Sequence, residues 1–235
     1  MKAEQVLEEL MKLGDPPNVA GRARYGISSA KAFGVPVPKL RELAKHAGKD
    51  HRLAEALWRS GVNEARLLAA MVADPRQVTE EFMERWVGEV SSWDICDICC
   101  GELFDKTPYA YRKAEEWSKR PEEFVKRAAF ALIASLAVHD KRAHDEAFLK
   151  LLPLIEQGAP DGRNFVKKAV SWALRSIGKR NLALNDAAIR SAERLSTSDS
   201  RAVKWVASDV LRELRSEKVG QRLASRPGKT QRVTS

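Results

Sequence analysis

Long apolar runs are missing from this chain of 235 residues, since no stretch reaches the roughly 18 residues that a membrane-spanning helix needs. The opening residues MKAEQVLEELMKL lack the apolar stretch and the small-residue cleavage site of a signal peptide, so no leader is predicted. Cysteine is also scarce, with three residues crowded into one segment at Cys96, Cys99 and Cys100. An odd, clustered set of thiols is no disulfide framework, and we therefore expect a reducing, cytoplasmic setting.

Recognisable metal and nucleophile motifs are absent as well. Cys96-x-x-Cys99-Cys100 could supply metal ligands, but zinc takes four, and His46, His51, His139 and His144 are scattered along the chain. Buried helical thiols are the favoured interpretation of the cysteines, and no metal site is predicted. We find no phosphate-cradling glycine loop and no Ser/His/Asp signature, although such triads are recognised by geometry and can escape a sequence search.

Strand signals are missing too, because no segment alternates apolar and polar residues with much β-branched content. Blocks of 10 to 18 residues rich in Ala, Leu, Glu, Lys and Arg have helical spacing instead, and proline and glycine fall between them. These signals predict about eleven helices. Residues 123–129 match residues 164–170, and Ala202–Ala207 match again 37 residues further on. A period near 40 with two helices is typical of HEAT or armadillo repeats, so we predict an all-α, HEAT-like solenoid.

Positive charge is in excess, with 41 lysines and arginines against 32 acids and a formal net charge of +9. The early turns of the three matched helices hold Lys126, Arg127, Arg163, Lys167, Lys168, Arg201 and Lys204. Cations beside exposed helix N–H groups suit phosphate, so stacking predicts a C-shaped solenoid with a basic concave face for nucleic acid. Solvated charge on turns near loops is the alternative. We expect one domain over residues 1–220 and a basic, disordered tail over residues 221–235.

An aromatic ring and a charge share a helix face at two places. Trp93 and Asp97 lie one turn apart, and Lys168 and Trp172 do the same, with Arg175 one step further. A carboxylate near cations stays ionised and can stabilise a positive transition state, while an exposed indole adds stacking or cation–π attraction. Core packing for both tryptophans and a surface role for Asp97 is the plain alternative.

At these residues the chain resembles the bacterial DNA alkylation repair glycosylases of the AlkD family, which are HEAT-like repeat proteins. The resemblance runs from Ala23-Arg24-Tyr25 to about Leu214. Its most specific segments are Ser92-Trp93-Asp94-x-x-Asp97, Arg127-Ala128-Ala129 and Lys168-Ala169-x-x-Trp172-x-Leu174-Arg175. The Ile95-Cys96 surroundings and the Cys99-Cys100 pair depart from the best-known members.

The resemblance implies hydrolysis of the N-glycosidic bond of N3- and N7-alkylated purines in duplex DNA, without metal or organic cofactor. It makes Asp97 the catalytic carboxylate, with Trp93 and Trp172 against the deoxyribose. It makes Arg127 a backbone-binding residue and places Tyr25 near the DNA. Lys126, Lys167, Lys168 and Arg175 complete the predicted DNA-binding set of a monomer. Arg127, Lys168 and Arg175 are expected in one concave groove with Trp93, Asp97 and Trp172. The rival hypothesis is a non-catalytic HEAT-repeat module that binds DNA structures or a protein partner.

Overall fold

The structure, a computed structural model, describes residues 2–23 and 31–225 of the chain. Within these ranges every regular element is a helix and no strand occurs, which confirms the all-α prediction. The chain divides into two compact units, Met1–Leu132 and Ile133–Ser235, where the sequence predicted one domain over residues 1–220.

Eight α-helices lie wholly in the described part of the first unit. They are α1 Ala3–Lys12, α2 Pro16–Ala23, α3 Val37–Ala47, α4 His51–Arg59, α5 Asn63–Val72, α6 Glu80–Gly88, α7 Trp93–Glu102 and α8 Ala110–Ser118. Short 3₁₀ helices occur at Pro75–Gln77 and Phe104–Lys106. The next helix, α9 at Glu123–His139, begins in the first unit and ends in the second.

Six further helices follow in the described part of the second unit. They are α10 Asp145–Leu149, α11 Leu152–Gly158, α12 Asn164–Gly178, α13 Leu182–Ser196, α14 Arg201–Leu214 and α15 Glu217–Ala224. The described residues thus contain more helices than the eleven or so predicted. One reason is that short helices such as α10 and α11 are separated only by Lys150 and Leu151, which give no proline or glycine signal.

The repeat seen in the sequence places the same apolar positions in the core of three helices, because the matched segments form the first turns of α9, α12 and α14. Val125, Val166 and Val203 align with one another and are buried, as are the two residues that follow the central dipeptide of each segment, at Ala128, Ala129, Ala169, Val170, Val206 and Ala207. The lysine between them, at Lys126, Lys167 and Lys204, keeps contact with solvent. Each helix therefore begins amphipathic, with this lysine on the side away from the core.

Three of the six tryptophans form the core of the first unit. Trp58, Trp86 and Trp117 are fully buried, and the rings of Trp58 and Trp86 stack with centroids 3.9 Å apart. The indole of Trp58 donates a hydrogen bond to Glu89 Oε2 at 2.7 Å, and that of Trp117 donates one to Glu84 Oε1 at 2.8 Å. Complete burial of the large ring makes all three residues structural, and in Trp58 and Trp117 the N–H is paired as well.

The start of α5 is tied to the segment before α3 by one buried carboxylate. Glu64 accepts hydrogen bonds from the backbone N–H groups of Phe33 and Gly34 at 2.9 and 2.8 Å. Gly34 has a φ of +84°, and a Cβ there would lie 2.1 Å from the carbonyl oxygen of Asp15, so only glycine fits. This junction fixes the first turn of α5, which also holds Asn63.

The C-terminal end differs from the prediction in one respect. Residues 221–224 were predicted as part of a disordered tail but belong to α15, because Val219 and Leu223, one turn apart, are both buried. None of the helices in the described residues is both long and apolar enough to cross a membrane.

Candidate active site and nucleic-acid interface

The helix that carries the Trp–Asp motif begins at a polar junction. Ser92 is extended and precedes α7, and its hydroxyl donates a hydrogen bond to Asp94 Oδ1 at 2.5 Å. The amide of Asn63 donates to Asp94 Oδ2 at 3.2 Å, which links α7 to the start of α5. A carboxylate in the first turn is favoured by the helix dipole. Asp94 therefore anchors the N-terminus of α7, and Trp93 and Asp97 are positioned from there.

Asp97 and Arg127 form a two-pronged ion pair between α7 and α9. The Nε of Arg127 lies 3.0 Å from Asp97 Oδ1, and its Nη2 lies 2.8 Å from Oδ2. The Arg127 side chain is only 7% exposed, whereas that of Asp97 is 22% exposed. The two predicted site residues are thus in direct contact. The guanidinium is directed at the carboxylate, however, and its contact with DNA stays a prediction.

Burial and pairing act in opposite directions on Asp97. Burial raises the pKa of the carboxyl above its ordinary value of 3.8, the charge and hydrogen bonds of Arg127 oppose this rise, and the nearby Asp94 adds to it. Burial also works against the charged form of Arg127, yet Asp97 raises the pKa of the guanidinium overall. An arginine is always protonated in proteins, so the pair holds a carboxylate whose charge is partly balanced.

The cysteines pack α7 against α9 beside this ion pair. The Sγ of Cys96 lies 3.7 Å from the carbonyl oxygen of Phe124, and the Sγ of Cys100 lies 3.4 Å from that of Ala128. All three cysteines are buried, as predicted, and burial raises the pKa of Cys99 and Cys100 well above the ordinary value. No group of three or more His, Cys, Asp or Glu in the described ranges is arranged to hold a metal ion.

Trp93 differs from the core tryptophans of the same unit. It is the first residue of α7, one turn before Asp97, and it is half-buried where Trp58, Trp86 and Trp117 have no exposed surface. An indole with a face near solvent can contact a sugar or a base as well as its neighbours. The plain alternative of complete core packing therefore does not describe Trp93.

The second unit holds the other predicted group, on α12. Lys168 is exposed and Trp172, one turn later, is half-buried. Arg175 is half-buried and pairs with Glu213 of α14, and its Nε lies 3.4 Å from Asp209 Oδ2. Arg175 is thus bound to two carboxylates, and its predicted DNA contact would compete with them.

The remaining predicted residues have different surroundings. Lys126 lies half-buried in α9, and the Nζ of Lys167 lies 4.6 Å from the centroid of the Trp205 ring. Tyr25 falls outside the described residues. Trp93, Asp97, Arg127 and Lys126 belong to the first unit, and the other predicted site residues that are described belong to the second. The single groove shared by both sets stays a prediction.

Two relevant residues were missed by the sequence analysis. Asn63, which binds Asp94, gives no local signal because 31 positions separate the two residues. Trp205 is 38% exposed, and the sequence contained a signal that could have identified it. In the repeat alignment it occupies the position of Arg127 and Lys168, where a tryptophan is unexpected.

The net charge is confined to one unit. Residues 1–132 contain 21 lysines and arginines and 21 acids, whereas residues 133–235 contain 20 and 11. The first unit is therefore formally neutral, and the whole excess of +9 lies in the second. A polyanion would be attracted chiefly by the second unit, while Asp97 lies in the first.

Comparison with solved structures supports the architecture. One solved structure, described as "a new family of proteins related to the HEAT-like repeat DNA glycosylases with affinity for branched DNA structures", matches with a TM-score of 0.76 at 19% identity, covering 91% of this chain and 95% of that one. At this identity the likeness shows the fold alone, a HEAT-like repeat. A designed armadillo repeat protein in complex with the peptide (KR)4 matches with a TM-score of only 0.38 at 17% identity, covering 79% of this chain and 78% of that one.

No curated protein matches the sequence significantly. The family model described as "DNA alkylation repair enzyme" matches residues 6–206, a range that contains all the predicted site residues. This chain therefore belongs to the DNA alkylation repair enzyme family.

Proposed function

We propose that the protein is a DNA glycosylase that hydrolyses the N-glycosidic bond of cationic N3- and N7-alkylated purines in duplex DNA. The observation that carries the proposal is the Asp97–Arg127 pair, whose carboxylate keeps 22% of its surface accessible one helical turn from the half-buried Trp93. The family match to DNA alkylation repair enzymes supports the same conclusion.

The protein need not activate the leaving group, because an N3- or N7-alkylated purine already carries positive charge and leaves readily. The sugar then becomes oxocarbenium-like, and a fixed negative charge beside it lowers the energy of the transition state. In the proposed mechanism Asp97 supplies that charge and orients the attacking water. Arg127 holds both carboxylate oxygens and so fixes the direction of the carboxylate before substrate arrives.

The indoles of Trp93 and Trp172 are proposed to bind the deoxyribose of the damaged nucleotide. Each has surface in contact with solvent, unlike the three tryptophans of the core. Lys168, with its exposed ammonium, is proposed to bind phosphate, and Lys126, Lys167, Arg175 and Tyr25 complete the proposed contacts with DNA. We further propose that the protein acts as a monomer in the cytoplasm.

The decisive experiment is release of 7-methylguanine or 3-methyladenine from methylated duplex DNA by the purified protein. Product is separated by chromatography and compared with spontaneous release in buffer. We expect release that depends on Asp97 and survives a chelator, since the proposal includes no metal. Release no faster than in buffer would reject the glycosylase proposal.

A non-catalytic DNA-binding protein is the second candidate. It is favoured by the solved relative with affinity for branched DNA structures, and by the placement of all net charge in the unit that lacks Asp97. Under this candidate the wild-type protein would bind forked or branched DNA tightly and release no base. The same two assays therefore separate the two functions.

A further inference from the structure

Trp205 is the exposed tryptophan of the chain. The five others are buried or half-buried, whereas Trp205 lies on α14 with 38% of its surface exposed. The repeat alignment gives it the position that Arg127 and Lys168 hold in α9 and α12. An indole thus stands at the position that a cation occupies in the other two repeats.

Cations surround this indole. The Nζ of Lys167, from α12, lies 4.6 Å from the ring centroid. Beside it, a shallow cleft of about 570 Å³ is lined by Ser196 at the end of α13 and by Lys204, Ser208, Leu211, Arg212 and Arg215 on and just after α14. Ser208 and Arg212 follow Trp205 by three and seven residues, so they lie on the same side of the helix. The cleft and the indole therefore form one surface of the second unit, the α14 surface.

The acids near this surface hold its cations weakly. Arg212 pairs with Asp209 and Arg215 with Glu193, but both arginine side chains are more than half exposed. Lys204 is 4.0 Å from Asp199, whose side chain is fully exposed. Exposed ion pairs contribute little to stability, whereas arginine binds phosphate through two hydrogen bonds. A phosphate group can thus replace the carboxylate partners.

We propose that the α14 surface binds a single-stranded segment of DNA, with one base stacked on Trp205 and the adjoining phosphates on Lys204, Arg212 and Arg215. A base within a duplex is already stacked on its neighbours, so an exposed indole gains most from an unpaired one. Lys167 would then exchange its contact with the ring for the phosphate of the stacked nucleotide. The inference rests on the proposed DNA-binding function but not on Asp97 or on base excision.

The test measures binding of the full chain to three fluorescein-labelled probes by anisotropy at two salt concentrations. The probes are an unmethylated oligo-dT strand of about 12 nucleotides, a blunt duplex of the same length and that duplex with a single-stranded overhang. We expect Trp205→Ala to weaken single-strand and overhang binding about tenfold and duplex binding less than twofold, because stacking is lost. Trp205→Phe should retain most of the affinity.

Two matched variants control for the loss of exposed groups. Leu182→Ala removes another exposed apolar side chain of the same unit, and Arg190→Ala removes an exposed arginine paired with Asp186. Neither residue lines the cleft, so both should bind the single strand as the wild type does. Arg212→Ala should reduce the magnitude of the salt slope by about one ion.

The outcomes separate this inference from the proposed function. Trp205→Ala binding the single strand as tightly as the wild type would overturn the inference, and so would a wild type that binds only the blunt duplex. Release of 7-methylguanine is measured independently, and its absence would reject the glycosylase while leaving tenfold, Trp205-dependent strand binding in support of the inference. Melting curves of the variants, expected to match the wild type, verify that each is folded.

Discussion

The two units of the chain differ in charge and in what their charges do. The first has no net charge, and in its Asp97–Arg127 ion pair a largely buried guanidinium holds a partly exposed carboxylate. The second has the whole excess of +9, with exposed cations at Lys168, Arg212 and Arg215. The first unit thus holds an oriented charge, and the second holds the excess of cations.

This separation suits the proposed reaction. A carboxylate stabilises a cationic transition state best when few uncompensated cations lie near it, since each of them raises the energy of the same transition state. Attraction of DNA, in contrast, depends on the number of exposed cations and acts over distance. The chain divides these two requirements between its units, because the first holds the oriented carboxylate and the second holds the excess of cations.

The largest expected effect comes from removing the oriented charge. Asp97→Asn should slow excision of 7-methylguanine about a hundredfold or more, the scale of losing one electrostatic stabiliser. DNA affinity should hold, because the exposed cations of the second unit remain. A moderate fall in melting temperature is expected as well, since the buried guanidinium of Arg127 loses the opposite charge of Asp97.

Single-turnover rates on methylated duplex, measured below the melting transition, provide the check. Asp186→Asn is the matched control, because Asp186 is an exposed carboxylate of α13 that the mechanism does not use. Excision by Asp97→Asn at the wild-type rate would remove the proposed mechanism and would favour the DNA-binding candidate.

A smaller effect is expected at the indole of the second unit. Trp172→Ala should reduce excision and duplex affinity together, each about tenfold, because a sugar-facing ring acts in the ground state and in the transition state alike. Trp172→Phe keeps an aromatic face and should recover most of both. A rate change without any change in affinity would contradict a contact with the sugar in the bound complex.

Helix class and repeat interval could be predicted because they depend on local spacing. The matched segments starting α9, α12 and α14 bury the same positions, since a stacked helix must cover its apolar side wherever it lies in the chain. The burial of the cysteines was predictable for the same reason. The number of helices was predicted less well, because a break as short as the two residues between α10 and α11 interrupts the helical spacing only briefly.

Pairings between distant residues could not be predicted in the same way. Asp97 and Arg127 are 30 positions apart, and only the structure shows that Nε and Nη2 of Arg127 both donate to the carboxylate. The Arg175–Glu213 pair, which spans 38 positions, is a similar case. A basic pattern in the sequence suggests that its cations are available to bind phosphate. Acids on a neighbouring helix decide whether each cation is already paired.

Salt dependence tests this distinction directly. Lys168→Ala removes an exposed ammonium and should lower the magnitude of the salt slope of duplex binding by about one ion, with a several-fold loss of affinity. Arg127→Ala should change the slope less, because its guanidinium is bound to Asp97 and only 7% exposed. A loss of one ion with Arg127→Ala would instead support the phosphate contact implied by the family resemblance.

The smallest expected effect is a shift in the pH dependence of excision. Asp97 acts as an anion in the proposed mechanism, so activity should fall as pH drops through its pKa, and burial places that pKa above the ordinary 3.8. Arg127→Ala removes the charge and hydrogen bonds that oppose the rise, so the acid limb of the pH–rate profile should move to higher pH. The same shift affects stability. Because the pKa of Asp97 is higher in the folded than in the unfolded state, its contribution to the free energy of unfolding declines as pH increases between those two values. Single-turnover rates between about pH 4 and 8, corrected for spontaneous depurination, measure the limb. A limb at the same pH in wild type and Arg127→Ala would show that the titrating group is not Asp97.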